Sequence, residues 1–514
     1  MLLSSLISKA EINYTLASAG GRYPLSLEIE EIFLDSRQVA RRGLYVALEG
    51  LHTDSHAFIG EAEAHGAVAA VVSERAVLEC RADPRAHKIP FICVKDCREA
   101  MARLFAAWYG DPQRKMTFIG VTGTNGKTSV CRIIYEILVG AGYRCGLIGT
   151  AGNLISGEEG EGSEEISVKP KNPLANMTTP DPEELYRILE DMYLSGVRYV
   201  IMEVTSHSLA LRKVAPIDFE IGVFTNLTED HLDFHSDMED YFRAKKLLFE
   251  KCRRAVINID DRYGRRLSEE SECERFTVSC EGRSADFSAC DIRCHGESGM
   301  EYRLSSRWMR LRIRTKIPGA ITVMNTLEAA VVCSLLGIPP REIKDAIFSL
   351  PVIRGRLEKL KLPCRVGFSV YIDYAHTPDA LENLLRTAKM LRRRGQRIVL
   401  LFGCGGERER QKRAMMGRIA VSMADFFVIT SDNPRSEDPC EIISDIISGT
   451  GDDGQFTVIE NREKAIEYVI RSARSGDIIL LAGKGHEEYS IDKGGRHDFS
   501  ERELVDKFVK RYYG

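Results

Sequence analysis

The stretch GVTGTNGKTSV, Gly120 to Val130, sets glycines, a lysine and hydroxyl residues at a spacing that suits a nucleotide triphosphate. Glycines let backbone N–H groups approach phosphate oxygens, Lys127 brings a positive charge to the β and γ oxygens, and Thr128 offers a hydroxyl to a magnesium ion. Five residues separate Gly120 from Gly126 where the usual phosphate loop has four, and Gly123 sits inside the turn. Each donor type is retained, so the chemistry survives. A grip on a triphosphate does not by itself say what the phosphate is used for.

Such a loop works between a strand that ends beneath the phosphates and a helix whose N-terminus faces them. KMTFIGV reads as that strand, and KTSVCRIIYEILVGAG carries apolar residues at helical spacing and ends in glycine. Further strands are expected at VRYVIMEVTS, EIGVFTNL and RAVINIDD, each with polar residues at its C-terminal end, the edge where parallel α/β sheets bind ligands. A second alternating set begins near Pro351 with FSVYIDYAH, a helix at ALENLLRTAKMLRR, then RIVLLFGCGG, ADFFVITSDNP and DIILLAGKGHE. The expected fold class is α/β in three domains. These are a small mixed α/β N-terminal domain at 1–112, a central P-loop ATPase-like domain at 113–349 and a C-terminal Rossmann-like domain at 350–514. The 514 residues agree with that number, at roughly 150 per domain. ISGEEGEGSEEISVKPKN, from Ile155, is too polar and glycine-rich for a core and is expected to be a solvated loop.

Composition excludes several function classes. Charged residues make up 28%, apolar residues 44%, and the net charge is -4, so no global attraction for nucleic acid or an acidic membrane is expected. No segment reaches the ~20 apolar residues that span a bilayer, and the N-terminus lacks a basic leader and a cleavage site, which points to the cytoplasm. Fourteen scattered cysteines, none in a Cys-x-x-Cys pair, read as reduced structural thiols.

Eight further motifs follow the loop in order: TTPD at Thr178, MEVTSHSL at Met202, TNLTEDHLDFH at Thr225, YFRAKKLLF at Tyr241, GRLE at Gly355, DYAHTPDAL at Asp373, DNPR at Asp432 and GKGHE at Gly483. With GVTGTNGKTS they make the chain similar, over essentially its whole length, to Mur ligases of the MurE type, which help build the peptide of the bacterial cell-wall precursor and are related to folylpolyglutamate synthases. The resemblance implies that ATP phosphorylates the free carboxylate of a UDP-N-acetylmuramoyl dipeptide. The amine of an incoming amino acid then attacks the acyl phosphate. Negative charge gathers at one point in both steps, which calls for metal ions and fixed cations.

Residue by residue, the resemblance places Gly123, Thr124, Asn125, Gly126, Lys127, Thr128, Asn325, Arg356, Asp373 and His376 on ATP. It gives Glu203 and His231, with Thr128, to magnesium. It implies that Lys245 is carbamylated by carbon dioxide, which turns a cation into the carboxylate-like anion that a hard metal ion prefers. Ser36 and Arg37 match the uridine motif, and Thr178, Thr179 and Ser206 match positions that hold the muramoyl dipeptide. Where the family has an arginine after Ser206 this chain has Lys213, preceded by Arg212, and either can contact substrate. Thr322 stands where asparagine is usual, and Glu407 where aspartate is usual. The implied protein is a monomer acting on small molecules, without nucleic acid or membrane partners.

Three readings compete: an amino-acid-adding ligase of this type, another ligase of the superfamily such as the D-glutamate or D-alanyl-D-alanine adder, and a non-enzymatic nucleotide-binding regulator. DNPR, GKGHE and the N-terminal DSR favour the first, and the full set of Lys127, Glu203, His231 and Lys245 is more than a regulator needs. For the amino acid, charge favours meso-diaminopimelate over L-lysine or ornithine. Its distal carboxylate needs a cation, and Arg435 of DNPR supplies a planar fork. Asn433 can bond the same end, Pro434 stiffens the turn after Asp432, Arg408 offers a second cation, and Gly483 and Glu487 can take the distal carboxylate and ammonium.

Overall fold

The computed structural model describes residues 1–18, 25–50, 53–150, 152–157, 165–168, 177–363, 365–451 and 454–514. They divide into two compact units. One comprises Met1–Gly120, Arg144–Glu220 and Lys251–Arg253, the other Val121–Tyr143, Ile221–Glu250 and Arg254–Gly514.

In the first unit the apolar runs GLYV and AVAAVVS form parallel strands Gly43–Val46 and Ala67–Ser73. They lie inside a five-stranded sheet ordered Thr15–Ala17, Phe91–Val94, Ala67–Ser73, Gly43–Val46, Glu31–Phe33, in which only Thr15–Ala17 runs antiparallel to its neighbour. Near-continuous apolar sequence is what a parallel strand covered on both faces requires. Tyr45, Ile59, Ala62, Ala70, Val72 and Phe91 pack one core of this sheet. Later in the same unit Cys145–Gly149 pairs in parallel with Tyr199–Glu203 and antiparallel with Gly152–Ile155. The helix Pro182–Leu194, started by Pro182 at its first turn, packs close to this pair: a Cβ on Gly146 would lie 2.5 Å from Met192 Sδ.

Of the segment expected to be a solvated loop, 158–164 and 169–172 lie outside the described residues. Ile166–Ser167, which are described, form an exposed strand against Leu154–Ile155, a correction to the loop reading at these residues. Their pairing comes from a partner strand rather than from local apolar sequence.

The second unit opens with the phosphate-loop helix Lys127–Gly140. It also holds parallel strands Glu274–Ser279 and Phe287–Cys294 and the antiparallel pair Met300–Ser306 and Arg310–Thr315. From Glu358 onward a six-stranded sheet is ordered Glu358–Lys359, Ser369–Asp373, Ile478–Ala482, Ile398–Phe402, Phe426–Ile429, Phe456–Val458, parallel except for its first strand. Alternate residues of each strand face opposite sides, as the pleat requires. Leu400 and Phe402 meet the helices Pro378–Leu391, Gln411–Met423 and Pro439–Ile447, while Val399 and Leu401 meet Arg462–Arg471 and Glu501–Tyr513. Ile478–Ala482 lies between Ser369–Asp373 and Ile398–Phe402, so strand order reverses here and the C-terminal edge opens a crevice. The segments after Asp373, Phe402, Ile429 and Ala482 all leave this edge.

Candidate active site

Gly123 and Gly126 have φ of +151° and +89°, and a Cβ on Gly123 would lie 1.9 Å from Thr225 Oγ1, so the loop needs glycine there. Lys127 Nζ donates to the carbonyl oxygens of Gly123 (3.0 Å) and Thr124 (2.8 Å), and Lys245 Nζ donates to the same Gly123 oxygen at 2.8 Å. Lys245 is fully buried on the helix Met238–Lys246, and burial, with Lys127 nearby, holds its pKa well below that of a solvated lysine. An uncharged amine is the form that adds carbon dioxide. Tyr241, one turn earlier, places its ring 4.6 Å below Lys245 Nζ, its hydroxyl 3.3 Å from Thr124 Oγ1 and its edge against His231. His231 has φ of +58° and its Nε2 lies 3.5 Å from Asp230 Oδ2.

Asn125, Gly126, Asn325, Arg356 and Asp373, five residues expected on the nucleotide, line one cavity of about 120 Å³ together with Thr322 and Asn383. Arg356 Nη2 donates to Thr128 Oγ1 at 3.1 Å, and Asn125 Nδ2 donates to Asp379 Oδ2 at 2.8 Å. His376 does not line this cavity. Its Nδ1 bonds the Tyr374 carbonyl at 2.7 Å, and burial pushes its imidazole down to about 4.

Glu203 belongs to the first unit. Thr150 N donates to its Oε1 at 2.8 Å, Thr150 Oγ1 reaches its Oε2 at 3.1 Å, and Thr179 Oγ1 donates to its main-chain oxygen at 2.8 Å. Gly149 makes room for that carboxylate, since a Cβ there would lie 2.3 Å from Oε1. Thr178 bonds Thr150 at 3.0 Å, and Ser206 is buried at the start of the helix Ser206–Ala210. Lys213 is buried and pairs with Asp181 of TTPD at 2.7 Å, whereas Arg212 is half-buried and 3.9 Å from Asp96. Ser36 Oγ donates to Glu61 at 2.5 Å, and Arg37 forks onto Asp35 at 2.9 and 2.8 Å.

At the C-terminal sheet edge, Arg435 has φ of +52° and donates to the Gly406 carbonyl at 2.6 Å. A Cβ on Gly405 would lie 3.1 Å from its Nη1 and 3.8 Å from Arg408 Cγ, so the two arginines flank one glycine. Asn433 Oδ1 accepts from Lys484 Nζ (2.9 Å) and Ile491 N (3.0 Å), and its Nδ2 donates to Glu487 Oε2 at 2.8 Å. Gly483, at φ of +114°, stands where a Cβ would lie 2.3 Å from Asp432 Oδ2. Burial raises the pKa of Glu487, and nearby Asp432 adds to the shift.

This constellation accompanies matches to three family models: "Mur ligase family, catalytic domain" over residues 28–109, "Mur ligase middle domain" over 121–333 and "Mur ligase, glutamate ligase domain" over 355–485. The UDP-N-acetylmuramoyl-L-alanyl-D-glutamate–2,6-diaminopimelate ligase of Clostridium tetani is 38% identical over 514 residues, covering 100% of both chains. The chain belongs to the Mur ligase family. The similarly named ligase of Clostridioides difficile is 39% identical to this Mur ligase, covering 95% of this chain and 96% of that one. Among solved structures, a ligase of the same name matches with a TM-score of 0.66 and 28% identity over 99% of each chain. The MurF ligase of Thermotoga maritima in complex with ADP shares the fold, with a TM-score of 0.59 and 17% identity over 94% of this Mur ligase and 97% of that chain.

Tyr241, Thr150, Lys484 and Lys412 stand beside the expected residues but were not singled out from sequence. For Tyr241 a signal was present, since it precedes Lys245 by four residues and shares its helix face. The others meet partners far away in the chain, which local spacing does not reveal.

Proposed function

We propose that this Mur ligase joins meso-diaminopimelate to UDP-N-acetylmuramoyl-L-alanyl-D-glutamate with consumption of ATP, using three domains at 1–112, 113–349 and 350–514. The observation that carries the choice of amino acid is the pair Arg435 and Arg408 around Gly405 beside the Asn433–Glu487 hydrogen bond. Two guanidinium groups suit a distal carboxylate, and Glu487 suits a distal ammonium. One amide hydrogen of Asn433 has no partner among the described residues and is left for substrate.

ATP sits on the phosphate loop, with Lys127 on its β and γ oxygens and Asn325, Arg356 and Asp373 on the nucleoside side. The residues present fit a magnesium ion once Lys245 is a carbamate, because a bare ammonium at the Gly123 carbonyl of the phosphate loop would repel it. Thr128, Glu203, His231 and the carbamate would hold it. Magnesium supplies charge neutralisation to the transferring phosphoryl group. Thr178, Thr179, Ser206 and Lys213 hold the dipeptide, and Lys213 is favoured over Arg212 by its burial against TTPD. Ser36 and Arg37 serve the uridine end.

The γ-phosphoryl group moves to the glutamate carboxylate, leaving ADP. The amine nitrogen then bonds the acyl carbon, and the carbon–oxygen bond to phosphate breaks with the electron pair leaving on phosphate. The nitrogen sheds two protons, one before attack and one as the tetrahedral intermediate collapses. A competition assay tests the assignment: meso-diaminopimelate is expected to be incorporated in strong preference to L-lysine, and Arg435→Ala to weaken its use by about tenfold or more, the ~1.5–3 kcal/mol of a charged hydrogen bond. Equal use of L-lysine, or an unchanged Arg435→Ala, would overturn it.

A further inference from the structure

A second cavity in the second unit, about 230 Å³, is lined by Thr228, Glu229, Asp379, Glu382, Glu409 and Lys412, with Pro378, Met415 and Ile419 closing its apolar side. Three of its polar groups are incompletely bonded among the described residues. Lys412, on the first turn of the helix Gln411–Met423, is 95% buried yet makes no hydrogen bond, and its ionic neighbour Asp230 Oδ1 is 4.0 Å away, beyond hydrogen-bond reach. Thr228 Oγ1 and Glu409 Oε2 are shielded from solvent and unbonded, although the Glu409 carboxyl also bonds Glu229. A buried ammonium without hydrogen bonds is costly, and a cavity wall that combines one with unsatisfied acceptors is arranged for something that supplies both charges.

The wall itself narrows what that is. Four carboxyl groups surround a single ammonium, and although burial and Glu229 raise Glu409 to about 7, the other three would repel a phosphate group, since like charges at a few ångströms oppose each other strongly at low dielectric. A simple metal cation would leave Lys412 facing another positive charge. The ammonium and carboxylate of an α-amino acid meet both requirements at once. Thr228 of the cavity wall donates its N–H to Thr124 Oγ1 at 3.1 Å, and that hydroxyl donates to the Thr228 carbonyl at 3.1 Å, so this cavity adjoins the phosphate loop.

We propose that Lys412 binds the carboxylate next to the reacting amine of the incoming amino acid, while Glu409 and Thr228 receive its ammonium. This deepens the diaminopimelate reading and rests on it: Arg435 and Glu487 take the distal zwitterion, and Lys412 and Glu409 take the end that attacks. Lys412 thereby selects an α-amino acid at the reacting end, whichever side chain follows.

The test uses Lys412→Met and Lys412→Arg in the full chain. With UDP-N-acetylmuramoyl dipeptide and ATP but no amino acid, borohydride trapping is expected to recover as much acyl phosphate from Lys412→Met as from the unaltered enzyme. Its KM for meso-diaminopimelate is expected to rise tenfold or more, with KM for ATP unchanged and partial recovery in Lys412→Arg. D-Lysine keeps the distal zwitterion and lacks the carboxylate beside the reacting amine. It should be used equally poorly by both proteins. Loss of trapped acyl phosphate, an unchanged KM for diaminopimelate, or a D-lysine rate that falls along with it would each overturn the proposal. Failure of the unaltered enzyme to form acyl phosphate would instead overturn the ligase assignment.

Discussion

Lys245 carries the sharpest chemical demand of any single residue, because it is buried, shares the Gly123 carbonyl with Lys127 and lies over the Tyr241 ring. Lys245→Ala is expected to lower turnover by about 10²–10³-fold, comparable to the loss of one electrostatic contact in a transition state. Short carboxylates added to the assay should restore part of it by replacing the missing anion, and no rescue together with an unmodified lysine in the mass spectrum of active enzyme would refute the carbamate. Residues of this kind were legible in sequence where a motif holds them, as in GKTS or DNPR. Thr150 and Lys412 were not, because what makes them notable is a partner 53 residues away for Thr150 and a distant acid for Lys412. Single-chain spacing contains no trace of such a meeting.

The C-terminal sheet shows what elements contribute beyond carrying residues. Arg462, at the first turn of the helix Arg462–Arg471, is fully enclosed and donates to Glu501 (2.9 Å), Ala482 O (2.8 Å) and Ser431 O (3.3 Å). It thereby ties the segment leading to DNPR to the one leading to GKGHE. Glu501→Ala leaves that guanidinium with the looser Asp432 pair at 3.8 Å and its two carbonyl bonds, and is expected to cost about 1.5–3 kcal/mol in urea unfolding, with a parallel rise in KM for diaminopimelate. The same region has a built-in acid sensitivity. Burial pushes the imidazoles of His376 and His486 down to about 4, while in the unfolded chain each titrates near ~6.5. Between those values the unfolded chain binds protons that the folded form refuses, so stability falls as pH drops from about 6.5 toward 4 and is untouched by these groups above that, on the order of 1–3 kcal/mol for each. A His376→Gln, His486→Gln double variant should flatten this slope in pH-resolved unfolding, and an unchanged slope would refute it. The elements themselves were largely legible, since helix starts such as Thr377–Pro378 and Asp438–Pro439 and apolar runs such as RIVLLF announce them. The strand Ile166–Ser167 was not, because its two residues are set in a polar, glycine-rich stretch too short of apolar residues to show a pattern.

At the scale of the whole molecule, the long-range bonds within the second unit bring its separate stretches of chain to the phosphate loop. Asn125 of the loop holds Asp379, and Thr128 accepts from Arg356, across more than 220 residues of sequence. Asp379→Ala is expected to raise KM for ATP by about three- to tenfold, the worth of one net hydrogen bond, and to speed amide exchange in the loop. Exchange and KM equal to the unaltered enzyme would show that this bond is idle. No described helix is long and apolar enough to cross a membrane. The Asn433 amide offers a last consequence. Its oxygen is already saturated by Lys484 and Ile491, and one of its hydrogens is spent on Glu487, so the mould that we propose for the distal end of the amino acid is cast before any substrate arrives. A descendant that came to prefer lysine would therefore have to recast several interlocked groups together. Replacing Arg435 alone yields a poorer diaminopimelate enzyme rather than a lysine enzyme, so the neighbouring sequence space holds a valley between the two cell-wall chemistries.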